Sequence, residues 1–251
     1  HVGAGSGGAK SDGSIRTMSS GSAELNYQLY KNASRTQIWG SSYEGWISSS
    51  PPSMTLTIGA GGNSSATQVL YTRIFAGQTT APVGTYVSSF TGADVRIRYG
   101  LAANSTCASM AVAQEATASF IVQAQVMPRC TIAATTLDFG IIGNLTSALR
   151  SENQLSIVCT AGAVYSIGLS NGKSGVSPTQ RKMQKGTDTV LYGLYQDASR
   201  SAPWGASIGS DAVGGVGTGA TQRYPIYGLV PAQNSPAPGD YSDVVVVSVT
   251  Y

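Results

Sequence analysis

The chain has 251 residues, room for one large domain or two of ordinary size. Only 11% of them are charged against 41% apolar. That excludes a disordered polyelectrolyte, which is poor in apolar residues and rich in net charge. The net charge of +3 comes from scattered Lys and Arg with none of the basic stripe of a nucleic-acid binder, and no apolar run nears the roughly 18 residues of a membrane-spanning helix.

The chain opens on "HVGAG", which reads as the middle of something, so a targeting segment is expected upstream. At 27–40 stands "YQLYKNASRTQIWG" and at 192–205 stands "YGLYQDASRSAPWG". An offset of 165 residues aligns Arg16 with Arg181, Met18 with Met183, Tyr27 with Tyr192, Arg35 with Arg200 and Trp39 with Trp204. Further on, "YTRIFAGQTTAPVGTY" (71–86) answers "YGLVPAQNSPAPGDY" (227–241), and the halves finish on the alternating runs "ADVRIRYG" and "DVVVVSVTY". Ordered matches over such a period mean a duplicated domain, with expected bounds 1–113 and 114–251. The repeated phrase predicts a β-hairpin: a strand through Tyr27 and Leu29, an Asn/Asp and Ser turn, and a second strand carrying the Trp. A fold-specifying role suits it, because it occurs in both halves.

Between Trp39 and Tyr71 the first half has nine residues more than the second has between Trp204 and Tyr227. They lie in "SSYEGWISSSPPSM", which brings Tyr43, Trp46, Ile47 and Met54, and "YVSSFTG" reads as a second insertion bringing Phe90. These five are the candidate surface-binding residues, since differences laid on a shared scaffold carry function. The alternative is that they extend strands and bury in the core.

Alternation then marks "SFIVQAQV" (119–126), with Phe120, Val122, Ala124 and Val126 on one face. It is followed by the strand-like runs "QLSIVCT", "VYSIGLS" and "DTVLYGLY". Short strands with frequent turn signals and no long helical period predict an all-β chain of two tandem sandwiches. About fifty residues of the second half precede the position matching His1, so the opening strands of the first sandwich are expected to be missing. Cys130 and Cys159 flank a β-rich stretch while Cys107 stands alone. One structural disulfide in an oxidising compartment is expected, worth about 3.6 kcal/mol on the loop-entropy scale; three thiols are the alternative.

His1 is the single histidine, which leaves little for a Ser/His/Asp relay or a histidine metal site. The Gly-rich runs "GAGSGG" and "GGVGTGA" lack the strand, helix and Lys-Ser/Thr of a phosphate loop. Neither a catalytic group, a metal nor a cofactor is expected.

The runs "CTIAATTLDFG", "SIVCT", "YSIGLS", "RKM", "LYGLYQDASRSAPWG" and "YPIYGLVPAQNSPAPGDYSDVVVVSVTY" together resemble the spore coat protein U domain, the pilin fold of archaic Csu-type chaperone–usher pili. The likeness runs almost continuously over 116–251 and more loosely over the first half. Two such domains in tandem resemble the tip adhesin of these pili. The resemblance implies immunoglobulin-like sandwiches, the second lacking its final strand and accepting one by β-strand addition. It implies a periplasmic chaperone, an outer-membrane usher and an adjacent pilin as partners, an abiotic or host surface as target, and a place at the pilus tip on the bacterial surface. Val245, Val247, Val249 and Tyr251 would line the acceptor groove. Phe120, Val122, Ala124 and Val126 sit where a donor strand would, completing the first domain in cis or else opening the second. A purely structural pilus or coat component and a carbohydrate-binding module are the competing functions.

Overall fold

A computed structural model describes residues 1–10, 13–41, 49–100 and 114–251. In chain order its strands are β1 (Arg16–Ser20), β2 (Ala23–Tyr30), β3 (Tyr71–Ile74), β4 (Gly84–Phe90), β5 (Arg96–Tyr99), β6 (Gln114–Thr117), β7 (Phe120–Val126), β8 (Cys130–Ala134), β9 (Leu149–Cys159), β10 (Val164–Leu169), β11 (Arg181–Lys185), β12 (Asp188–Tyr195), β13 (Val213–Val216), β14 (Thr221–Val230) and β15 (Val247–Thr250). Among the described residues the regular structure is otherwise one 3-10 turn, Gly92–Asp94. The fold is all-β, as the short alternating runs require, and it divides into two sandwich-like units, His1–Val126 and Met127–Tyr251.

The first unit is built on a five-stranded sheet in the order β3-β2-β1-β4-β7, beside a β5-β6 hairpin. Its core gathers Val2, Met18, Leu25, Tyr27, Leu29, Tyr86, Phe90 and Val95. The second unit has a five-stranded sheet, β11-β12-β14-β9-β8, and a three-stranded one, β13-β10-β15. Its core is Leu155, Ile157, Tyr165, Ile167, Leu169, Tyr192, Leu194 and Trp204. The Cys130–Cys159 disulfide joins β8 to β9 within it, the pairing expected from sequence. Cys107 lies outside the described residues.

The duplication is exact enough to read atom by atom. β1 and β2 pair as β11 and β12 do, Arg16 with Tyr27 and Arg181 with Tyr192. Ser19 pairs with Val87 and Gln184 with Ser242, so 84–90 in the first unit stands where 239–245 stands in the second. This corrects two sequence expectations. "YVSSFTG" is no insertion but most of β4, and "ADVRIRYG" is not the counterpart of the second unit's last strand but one arm of the β5-β6 hairpin. The repeated phrase is also less regular than a hairpin. Beyond its turn the Trp segment meets the preceding strand only through single bridges, Tyr30 to Ile38 and Tyr195 to Pro203.

The turn itself holds by side chains. Asn32 Oδ1 accepts from the amides of Thr36 and Gln37 at 3.2 and 3.0 Å. Asp197 Oδ1 accepts from Ser201 and Ala202 at 3.0 and 2.7 Å. Arg35 and Arg200 sit in the left-handed region, φ 55° and 61°, which costs a non-glycine residue free energy. Each guanidinium then donates Nε to the next strand, Arg35 to Thr72 O at 2.9 Å and Arg200 to Gly228 O at 3.0 Å.

Candidate functional site

Two strand edges and one loop carry the residues singled out from sequence. β7 runs antiparallel along β4, from Gly84 opposite Val126 to Phe90 opposite Phe120. Phe120, Val122, Ala124 and Val126 are half-buried and pack against the core of the first unit. Ile121 and Gln125, on the opposite face, are exposed. The alternation seen in the sequence is therefore spent on the first unit, and its compact boundary falls at 126/127, not at the expected 113/114. Phe90 needs correcting as a surface-binding residue. It is 0% exposed and stacks on Phe120 with ring centroids 4.5 Å apart, because its position on β4 points it inward with Tyr86 and Ser88.

The equivalent stretch of the second unit has no strand on its outer side among the described residues. β15 ends its sheet, pairing only with β10, Val247 opposite Leu169 and Val249 opposite Ile167. Residues directly opposite share a face, so both valines look into the core. Yet Val245, Val247 and Val249 are only half-buried and Tyr251 is exposed, while Leu169 and Ile167 are fully covered. The other sheet ends the same way. Ile132 on β8 faces the core opposite Ile157 and is 37% exposed where Ile157 is 0%. Both end strands thus present core-side apolar groups to solvent.

A polar anchor fixes the start of this edge. Tyr192 donates to Asp243 Oδ2 at 2.7 Å, and Asp243 Oδ1 accepts from the amides of Lys173 and Val244 at 2.9 and 2.8 Å. Burial first, then the hydrogen bond to Asp243, raises the Tyr192 phenol far above its ordinary pKa. Ser170 then exchanges with Val246: its amide donates to Val246 O at 2.9 Å, and its Oγ accepts from Val246 N at 2.9 Å. In the first unit Ser88 takes the place of Asp243, beside the Tyr27 phenol. Sequence reading missed this anchor, although the register offset that pairs Ser88 with Asp243 was there to be found.

The loop after Trp39 is held at its root by Ser49 Oγ donating to Ile38 O at 2.6 Å and Lys31 Nζ donating to Ser50 O at 2.8 Å. Beyond it, residues 51–70 form no strand. Met54, Leu56 and Ile58 alternate with threonines and are 45%, 44% and 62% exposed. A turn follows in which Gly62 N donates to Gly59 O at 3.0 Å. Leu56 and Ile58 were missed from sequence because "MTLTI" reads as an ordinary half-buried strand. Tyr43, Trp46 and Ile47 lie outside the described residues. His1 Nδ1 lies 2.7 Å from Ser41 Oγ; a hydroxyl–imidazole contact alone does not make a relay. No group of three or more metal-ligating side chains occurs among the described residues, and no helix among them is long and apolar enough to cross a membrane.

Comparison with known proteins fits this geometry. The family model "Spore Coat Protein U domain" matches residues 1–93 and 116–248, so each unit carries a copy. "Protein U" of Myxococcus xanthus is 32% identical over 168 residues, covering 60% of this chain and 93% of that protein. Among solved structures, the CsuC–CsuE chaperone–tip adhesion subunit pre-assembly complex from archaic chaperone-usher Csu pili of Acinetobacter baumannii is similar in fold. The TM-score is 0.54 at 18% identity, covering 94% of this chain and 80% of that one.

Proposed function

Since the chain belongs to the spore coat protein U domain family, we propose that it is a non-enzymatic subunit of a chaperone–usher pilus, placed at the tip. In this reading the second unit joins the pilus by accepting a donor strand along 243–251, and the first unit grips a surface through apolar loop residues. The carrying observation is the contrast between equivalent edges. In the first unit β7 ladders onto β4 and covers its core; in the second, the equivalent stretch 239–245 has no such ladder among the described residues, and it and the β15 that follows it carry the half-buried core-side Val245, Val247 and Val249. β7 is then a donor strand working in cis, and a neighbouring pilin supplies its counterpart in trans. Before assembly a periplasmic chaperone would shield the edge until an outer-membrane usher exchanges it, by the backbone pairing and alternate side-chain pockets of strand addition. Four inserted apolar side chains would contribute roughly 6–12 kcal/mol at about 1.5–3 each, comparable to the stability of a whole domain.

Residue 118–127 peptide, "ASFIVQAQVM", tests this directly. Added to the full chain, it should raise the melting temperature of the second unit and protect the amides of 243–250 from exchange. A second unit already stable and indifferent to the peptide would defeat the reading. A purely structural coat component is the second reading, favoured by the likeness to Protein U. It expects buried or polar loops, and the exposure of Met54, Leu56 and Ile58 favours adhesion instead. A carbohydrate site would need aromatic faces framing a concave polar pocket, for which Tyr43 and Trp46 were the sequence candidates.

A further inference from the structure

Away from its strand edges the second unit holds a recess of about 300 Å³, at the small end of ligand-binding clefts. Two loops wall it: 170–178, leading from β10 toward β11, and 205–211, following Trp204. Both are pinned. Arg181 donates Nε to Ser170 O at 2.8 Å, and Lys173 N donates to Asp243 Oδ1 at 2.9 Å. In the other loop Ser207 O accepts from the amides of Ser210, Asp211 and Ala212, each at 3.1 Å. Asp211 Oδ1 accepts from Ser207 N at 2.7 Å, and Gln196 Nε2 donates to Asp211 O at 2.9 Å. Walls fixed beforehand lose little freedom when a ligand arrives.

The lining is of two kinds. Val176, Pro178 and Ala206 are aliphatic; Asn171, Ser207 and Asp211 are polar. The Asn171 carboxamide, the Ser207 hydroxyl and Asp211 Oδ2 are committed to no hydrogen bond among the described residues. In the first unit the 165-residue offset puts Ser6 and Ser41 at the positions of Asn171 and Ala206. Both are committed: Ser6 Oγ accepts from Ser89 N at 2.9 Å, and Ser41 Oγ lies 2.7 Å from His1 Nδ1. The uncommitted set is thus a departure from the shared scaffold.

Charge narrows the ligand. The fully buried Arg181 lies within Coulombic reach of Asp211 and Asp243. Arg181 therefore already balances the Asp211 carboxylate against a cation, and the carboxylate itself repels an anion. A neutral group is left, one that offers a donor and an acceptor beside a small apolar surface. An acetamido group does so, with its N–H for Asp211, its carbonyl for Asn171 or Ser207, and its methyl for the aliphatic wall. The rim beyond carries the Ser177 hydroxyl, 3.3 Å from that of Thr179, which suits a hydroxylated body better than a hydrocarbon stem.

We propose that this recess binds the acetamido group of an N-acetylhexosamine at the end of a glycan. The sugar is held by that arm and not by stacking its ring, so the site needs no aromatic face. It is independent of the 243–251 edge and of the apolar loop of the first unit.

The probe is the methyl β-glycoside of N-acetylglucosamine, titrated into the isotope-labelled full chain. Saturable amide shifts are expected on 171–178 and 205–211, insensitive to salt because the ligand is neutral. Methyl glucoside lacks the acetamido group and methyl glucosaminide puts an ammonium in its place; each should bind at least about tenfold more weakly. Nε-acetyl-lysine, with the same acetamido group on a hydrocarbon stem, should also bind more weakly. Asn171→Ala and Ser207→Ala should each weaken the sugar about fivefold and leave the melting transition of the second unit in place. The proposal is overturned if no saturable shift appears by about 50 mM probe, or if the shifts land on 51–58 or 243–250. Equal binding of methyl glucoside or Nε-acetyl-lysine, or wild-type binding by both variants, overturns it too. The response of 243–250 to the 118–127 peptide is a separate readout, so failure here leaves the pilus reading standing and the reverse also holds.

Discussion

Arg16 and Arg181 are fully buried, and both donate to amide oxygens. Arg181 donates to the carbonyls of Ser170, Pro178, Leu169 and Trp204. Arg16 donates to those of Gly3, Val2 and Trp39 and to Gln28 Oε1. A planar fork reaches several carbonyls at once, which a lysine ammonium does not. Arg181→Met should therefore cost about 3 kcal/mol in denaturant unfolding of the second unit, with Arg181→Lys recovering only part. An unchanged midpoint would show the guanidinium to be incidental. Asp197 offers a pH test. Hydrogen bonds from Ser199, then from the Ala202 amide, hold its carboxyl far below the usual range. A depressed folded pKa contributes stability that is full above the unfolded value, about pH 4, and is lost as pH falls toward the folded one. Asp197→Asn, which copies Asn32, keeps the turn without the charge. The melting-temperature gap between wild type and variant should be constant above about pH 4 and narrow below it; a gap that stays constant into acid would refute the assignment. The Asx turn was legible from its residues. The left-handed Arg after it was not, since no local pattern asks a long side chain to take that conformation.

Among the elements, β7 bears the most weight. Val122→Asp would push a charge into the core of the first unit and should lower its stability by at least about 2 kcal/mol, leaving the melting transition of the second unit in place. Loss of both transitions together, or of neither, would contradict the pairing of β7 with β4. Alternation in 120–126 was plain in the sequence because a period of two fixes which side chains share a face. It does not say which sheet receives that face, so the boundary stood thirteen residues early. β4 was misread for a related reason. Its inward Ser88 interrupts the apolar alternation between Tyr86 and Phe90, and the more regular "VRIRY" that follows drew the assignment. Pairing offsets resolve the matter, and those require the partner strand.

At the scale of the whole molecule, the proposed function gives adhesion to the first unit and assembly to the second. Met54→Ser, Leu56→Ser and Ile58→Ser together should abolish attachment of the displayed protein to apolar plastic. Both melting transitions should stay unchanged, since exposed positions rarely shift stability by more than about 0.5 kcal/mol. Undiminished attachment would shift the adhesive role away from this loop. The fold class, the duplication and the disulfide were readable in the order of motifs; the open C-terminal edge was expected only through the family resemblance, because a strand's own residues do not record whether a neighbour covers it. One covalent path joins the units, through Met127–Arg129 between β7 and β8. Tension passed along that path enters the first unit at Val126, so the segment that bears the pull is also the one that seals the hydrophobic interior. Tearing it out would open the interior of the first unit to water.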